Sequence, residues 1–210
     1  MKIAVSFLKI KANLKENIEK LNHTQADYFH FDIMDGFFVT NQTRPFNQDK
    51  QLAGFMKKPF DVHLMVKDVY QYVDCYAKLK PLWITFHLEV NDTDNIIDYI
   101  KAKGIKIGLS IKPNTDVKEL LPYLDKIDLV LLMSVEPGQG GQKFLPATEA
   151  RLHDLVKYRT EQNLDFLIQI DGGINQATMR YCQKADLVVV GSYITDNDNY
   201  EKQINNLLNY

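Results

Sequence analysis

Eight short runs of β-branched and aromatic residues recur along the chain, and each is followed by a polar segment with helical spacing. The runs are IAVSFL (3–8), DYFHFDI (27–33), FDVHLMV (60–66), LWITFHL (82–88), IKIGLSI (105–111), IDLVLLM (127–133), DFLIQID (165–171) and DLVVVG (186–191). Runs of this kind separated by one helix each are the pattern of βα units. The intervening segments carry their own signals. Asn13 is placed to cap a helix whose apolar face is Leu14, Ile18 and Leu21. Ile96, Ile97 and Ile100 form a second stripe, and Gly104 follows as its stop. Pro146 stands ahead of a helix bearing Leu152, Leu155 and Val156. Repeated βα units fold either as an open doubly wound sheet or as a closed barrel. Eight units favour closure, and the turn after the first run, SFLKIKAN, has no glycine for a dinucleotide fingerprint. The expected architecture is α/β, one (β/α)8 TIM barrel spanning residues 1–210.

The 210 residues are 45% hydrophobic and 25% charged, with a formal net charge of −2. One domain of this size buries a substantial core. With no basic block, neither nucleic acid nor a membrane surface is an expected partner. Cys75 and Cys182 lack zinc or CxxC spacing and read as two buried reduced thiols, which suits the cytoplasm. The opening MKIAVSFLKIK is cut by Lys9 and Lys11 before it reaches signal length, and no run approaches a membrane span.

In barrels of this class the site lies at the C-terminal ends of the strands. His30 and Asp32 stand two apart, so they share a strand face. His63 on the third run and Asp171 at the end of the seventh converge with them on one mouth. Two imidazoles and two carboxylates suit a divalent cation such as zinc, ferrous iron or manganese. His87 also alternates inward. Glu89 or a backbone carbonyl would be its partner, in a structural or supporting role. Met34, Met65 and Met133 sit at strand ends, as core filling or as cavity lining. Gly138, Gln139, Gly140 and Gly141 match neither a Rossmann nor a Walker pattern and read as a turn or a lid. Gly172–Gly173 and Gly191–Ser192 follow runs seven and eight, where barrels commonly bind phosphate. A metal beside a phosphate site suggests a phosphorylated sugar. Two carboxylates on opposite sides of one carbon can remove a proton from one face and return one to the other, which is epimerisation. One carboxyl must then be ionised and the other protonated.

The segments HFDIMDGFFVTNQT, DVHLMV, ITFHLEV, MSVEPGQGGQKFLP, IQIDGGIN and VVVGSYIT occur in the order of the ribulose-phosphate 3-epimerase family, which the chain resembles over essentially its whole length. The resemblance implies metal-dependent interconversion of D-ribulose 5-phosphate and D-xylulose 5-phosphate through an ene-diolate. It implies His30, Asp32, His63 and Asp171 as metal ligands, with Asp32 and Asp171 as the acid/base pair. Ser6, His63 and Asp171 become substrate contacts, Gly138 to Gly141 the lid, and Gly172, Gly173, Gly191 and Ser192 the phosphate cradle. Members of such barrel groups often self-associate, so a homo-oligomer is expected. The departures from the family pattern surround the substrate. Val5 and Lys9 stand for a proline and a serine, and Gln139 stands for an aromatic. Thr40 and Arg44 change the strand-2 loop, and Tyr193 replaces a small residue. They bear on sugar identity and leave room for a hexulose phosphate such as D-allulose 6-phosphate. A related barrel decarboxylase or aldolase, or a non-catalytic sugar-phosphate binder, are the readings from other classes.

Overall fold

The computed structural model describes residues 1–210. Eight parallel strands close into a barrel in sequence order: β1 (Lys2–Ser6), β2 (Tyr28–Met34), β3 (Phe60–Met65), β4 (Trp83–His87), β5 (Lys106–Ile111), β6 (Leu129–Met133), β7 (Leu167–Asp171) and β8 (Leu187–Val190). β8 pairs with β1 through Lys2↔Leu187 to Val5↔Val190, which removes both sheet edges. All eight expected strands are present. Strands buried on both faces read as continuous apolar runs, which is why the runs were recognisable.

The helices are α1 (Leu14–Asn22), α2 (Phe46–Ala53), α3 (Val69–Tyr76), α4 (Thr93–Ala102), α5 (Thr148–Glu161), α6 (Ser192–Thr195) and α7 (Tyr200–Leu208). α1 buries Ile18 and Leu21, α4 buries Ile96, Ile97 and Ile100, and α5 buries Leu152 and Leu155. Gly104 has φ 71°, the left-handed stop that ends α4. Two connections are only 3-10 turns: Val117–Leu120 after β5 and Met179–Cys182 after β7. Pro122 explains the first, since it lacks an N–H and restricts Leu121 ahead of it.

Two local expectations are corrected. Asn13 does precede α1, but it is left-handed (φ 52°) and its side chain makes no cap bond. From that conformation its carbonyl instead receives the Asn17 N–H at 3.0 Å. Cys182 is buried, but Cys75 is only partly so, and both thiols are free. No helix is long and apolar enough to cross a membrane.

Inside the barrel, Thr85 on β4 lies in register with Gly108 on β5. A β-carbon at Gly108 would run into the Thr85 hydroxyl, so the glycine makes room for that side chain. The β2–β3 register sets Asp32 beside His63 and Met34 beside Met65. β1 brings Ser6 level with His30, and β6 brings Met133 level with Asp171. Strand register therefore assembles the polar residues at one end.

Candidate metal centre and active site

Four side chains, His30, Asp32, His63 and Asp171, offer ligand atoms that all lie within 4.8 Å of one another. His30 Nε2 is 3.4 Å from Asp32 Oδ1, His63 Nδ1 is 3.3 Å from the same oxygen, and Asp171 Oδ2 is 3.9 Å from His63 Nδ1. Two ligands each 2.0–2.2 Å from one tetrahedral cation stand about 3.4 Å apart. His30 Nε2 is buried and has no hydrogen-bond partner. A buried nitrogen left unpaired beside two carboxylates is what a cation site requires, so the residues present fit a divalent ion.

The second nitrogen of each imidazole is held from behind. His30 Nδ1 lies 2.8 Å from Asp61, which also accepts from Trp83 Nε1 at 3.1 Å. A carboxylate behind a histidine fixes its tautomer and turns its other nitrogen toward the ion. On the other side a relay runs outward. His63 Nε2 faces His87 Nε2 at 2.9 Å, His87 Nδ1 faces Glu89 at 3.2 Å, and Glu89 accepts the Lys112 backbone N–H at 2.7 Å. The Thr115 hydroxyl donates to the same Glu89 oxygen as Lys112. An ionised Glu89 only accepts, so His87 must carry its proton on Nδ1 and accept at Nε2. His63 then carries its proton on Nε2, leaving Nδ1 bare toward the cluster. Burial opposes ionisation of Glu89, yet its bonds to His87, Thr115 and Lys112 hold its carboxyl down at about 2. Burial pushes His87 down to about 4 against the pull of Glu89, so the relay is charged only at its outer end at neutral pH.

The two carboxylates of the cluster are unlike. Burial alone would raise Asp32, but His30 and His63 outweigh it and hold Asp32 well below the usual carboxylate range. Asp171 is raised by burial and by the Asp32 charge beside it. The first is ionised where the second tends to keep its proton. The Ser6 hydroxyl donates to Asp32 Oδ2 at 2.6 Å.

A cavity opens directly above. Asp32 and Asp171 form part of its floor with Met34, Met65 and Met133, and Ser6 stands at one side. Gly138, Gln139, Gly140 and Gly141 roof it, and Gly172, Gly173, Gly191 and Ser192 form the far wall. His30 and His63 lie beneath the floor, fully buried, so His63 sits with the ligand cluster and not on the cavity surface where a substrate contact was expected. Gly172 (φ 120°) and Gly173 (φ 63°) both need the left-handed region. A β-carbon at Gly173 would strike the Phe144 backbone, which no rotamer change relieves. Gly191 differs, since a β-carbon there would meet only ordinary contacts with Ser6.

The roof is tied down. Asn41 Nδ2 donates to the Gly138 carbonyl at 2.8 Å, and Val39 fills the space a β-carbon on Gly138 would need. Gln142 Nε2 donates to the carbonyls of Glu136 (2.6 Å) and Gln139 (2.8 Å). Asp35 and Gly36 shape the loop after β2. Asp35 accepts the N–H groups of Phe37, Phe38 and Lys67, and Gly36 has φ 79°.

Two residues that support the site, Asp61 and Ser134, were not singled out from the sequence. Asp61 shares a strand face with His63 two positions on, a signal that was available. Ser134, whose hydroxyl lies 2.7 Å from the carbonyl oxygens of both Asp171 and Gly172, carries no such signal. Arg44 was noted only as a departure. It is largely buried, bonded through Nε to Asp49 at 2.7 Å and stacked on Phe7.

Comparison with known proteins agrees with this geometry. The sequence model described as "Ribulose-phosphate 3 epimerase family" matches residues 2–195. The ribulose-phosphate 3-epimerase of Escherichia coli (strain K12) is 38% identical over 200 residues, covering 93% of this chain and 89% of that protein. The one from Helicobacter pylori (strain J99) is 34% identical over 213 residues, covering 100% and 97%. Among solved structures, 3-hexulose-6-phosphate synthase from Salmonella typhimurium superposes with a TM-score of 0.70 at 14% identity, over 99% of this chain and 96% of that one, which speaks to the fold. The matched span, the level of identity and the barrel together establish that this chain is a member of the ribulose-phosphate 3-epimerase family, enzymes of the isomerase class.

Proposed function

We propose that the protein inverts C3 of a ketose phosphate, interconverting D-ribulose 5-phosphate and D-xylulose 5-phosphate. The observation that carries the reading is the pair Asp32 and Asp171, two carboxylates of opposite protonation tendency in one buried cluster beneath one cavity. The relatives that carry this activity in their names support the substrate.

His30 Nε2, Asp32, His63 Nδ1 and Asp171 would hold one divalent ion, and zinc, ferrous iron and manganese all suit that donor set. Such an ion supplies a Lewis acid that polarises the ketone and steadies the negative charge left when the neighbouring C–H is broken. Asp32, ionised and oriented by Ser6, takes the C3 proton. Asp171, protonated, delivers a proton to the opposite face. The methionines give the sugar backbone an apolar floor that keeps water from competing for the acidic carbon. Gly172, Gly173, Gly191 and Ser192, which line the cavity, would receive the phosphate on their backbone N–H groups.

Turnover of D-ribulose 5-phosphate in D2O should introduce deuterium at C3. Asp32→Asn and Asp171→Asn should each lower kcat by at least about 10³-fold while the circular dichroism spectrum stays native. Full activity in either variant would sink the two-carboxylate reading. A kcat/KM far higher for D-allulose 6-phosphate would transfer the assignment to the six-carbon sugar.

A further inference from the structure

Three carboxylates line the cavity, Asp32, Glu136 and Asp171, against one cationic side chain, Lys9. Lys9 lies on the β1–α1 loop, and its stem runs beneath the roof. A β-carbon on Gly140 would come within 3.0 Å of Lys9 Cγ, and one on Gly141 within 3.3 Å of Lys9 Nζ. The two glycines are thus moulded on this lysine. The ammonium lies 2.6 Å from Asp196 Oδ2, just past the short α6 that follows Gly191 and Ser192. That pair is exposed, 38% at Lys9 and 51% at Asp196. An ion pair in such a setting is held weakly, and its lysine is free to exchange partners. Beyond the roof, a groove of about 510 Å³ shares Lys9 with the cavity, so Lys9 stands where the two spaces meet.

On the reading of the substrate as a sugar phosphate, we infer that Lys9 is a phosphate-binding residue of this enzyme. Its ammonium moves from Asp196 onto the phosphate as the sugar enters, while Asp196 holds it ready in the free protein. A phosphate dianion calls for a cationic partner, and Lys9 is the one cationic side chain lining the cavity.

The test compares wild type, Lys9→Met, Lys9→Arg and Asp196→Asn. Calorimetry with inorganic phosphate is run beside steady-state kinetics on D-ribulose 5-phosphate. Lys9→Met keeps the packing stem and removes the charge. It should weaken inorganic phosphate binding about ten- to hundredfold and raise KM in parallel, with the loss falling on KM and not on kcat. Lys9→Arg should recover part of both, and Asp196→Asn should tighten phosphate binding by releasing Lys9. The wild-type advantage over Lys9→Met should shrink as ionic strength rises. Equal phosphate affinity in wild type and Lys9→Met overturns the inference and leaves Lys9 as a surface ion pair. A wild type that turns over no ketose phosphate overturns the functional reading instead, while the phosphate calorimetry still decides the role of Lys9.

Discussion

Replacing Glu89 by glutamine should cost more than deleting its side chain. One Glu89 oxygen is occupied by two donors, the Lys112 backbone N–H at 2.7 Å and the Thr115 hydroxyl. The backbone donor cannot turn away, so in Glu89→Gln the amide oxygen must take that place. The amide NH2 is then left facing His87 Nδ1, where the carboxylate accepted at 3.2 Å. His87 must now accept at Nδ1 and carry its proton on Nε2. Across the 2.9 Å contact, His63 must accept at Nε2 and carry its proton on Nδ1. A protonated Nδ1 cannot ligate a metal. It donates instead to Asp32 Oδ1, already 3.3 Å away, so the metal-free form gains what the loaded form loses. Restoring the competent tautomers breaks at least one buried hydrogen bond, about 1–3 kcal/mol, or roughly ten- to a hundredfold in metal affinity. Glu89→Ala leaves His87 Nδ1 to water, imposes no reversed donor and should cost less. Chelator-competition titrations with zinc or manganese on the wild type and both variants measure this directly, with circular dichroism confirming the fold. Wild-type affinity in Glu89→Gln, or a weaker affinity in Glu89→Ala than in Glu89→Gln, would refute the tautomer argument.

Glu89 also predicts an acid response. Its carboxyl falls from 4.5 to about 2 in the folded protein, so its stabilising contribution is complete above about pH 5 and is lost as pH falls toward 2. Burial and bonding of this degree bound that contribution at roughly 3 kcal/mol, and urea titrations from pH 6 to 3 should show a shallower decline for Glu89→Gln than for the wild type. Gly108→Ala should destabilise by about 1–3 kcal/mol through overpacking against Thr85, and adding Thr85→Ala should recover most of it in thermal melts, because the Thr85 hydroxyl is buried without a partner. The two cysteines should react unequally with Ellman's reagent. The partly exposed Cys75 labels in the native protein, whereas Cys182, buried and pushed up to about 12, has a thiolate fraction of about 10⁻⁴ at pH 8 and labels on unfolding. Fast release of two equivalents from folded protein would contradict this.

Legibility from sequence followed the range of the interaction concerned. The strands were readable because burial on both faces leaves a local, continuous apolar signature. His30 with Asp32 was readable because a strand repeats its facing every second residue. Convergence of His63 and Asp171 with them needed only the rule that barrel sites gather at strand ends. The contact of His63 with His87 was not readable, since it depends on the stagger between β3 and β4, which no local pattern encodes. Asp61 shares a strand face with His63, a local signal that did not by itself mark it as part of the site. A carboxylate at the start of a strand looks like a surface residue until the β2–β3 register lays it against His30. Lys9 appeared only as an altered position in a loop, and its place beneath the roof comes from contacts with residues more than 130 positions away. The 3-10 turn after β5 shows the opposite failure. Pro122 was visible, yet a helix was assumed because the repeat suggested one.

The tethering of the roof has a kinetic consequence. Asn41 and Val39 from the loop after β2, and Lys9 from the loop after β1, all grip the segment after β6. Moving that segment to admit or release a ligand therefore disturbs contacts with two other loops. Neither Val39 nor Asn41 lines the cavity, so their part of the grip acts alike on sugars of either length. Substitutions at Val39 or Asn41 should accordingly change residence times for sugar phosphates of either chain length by a common factor, leaving the choice between them to the floor and walls of the cavity.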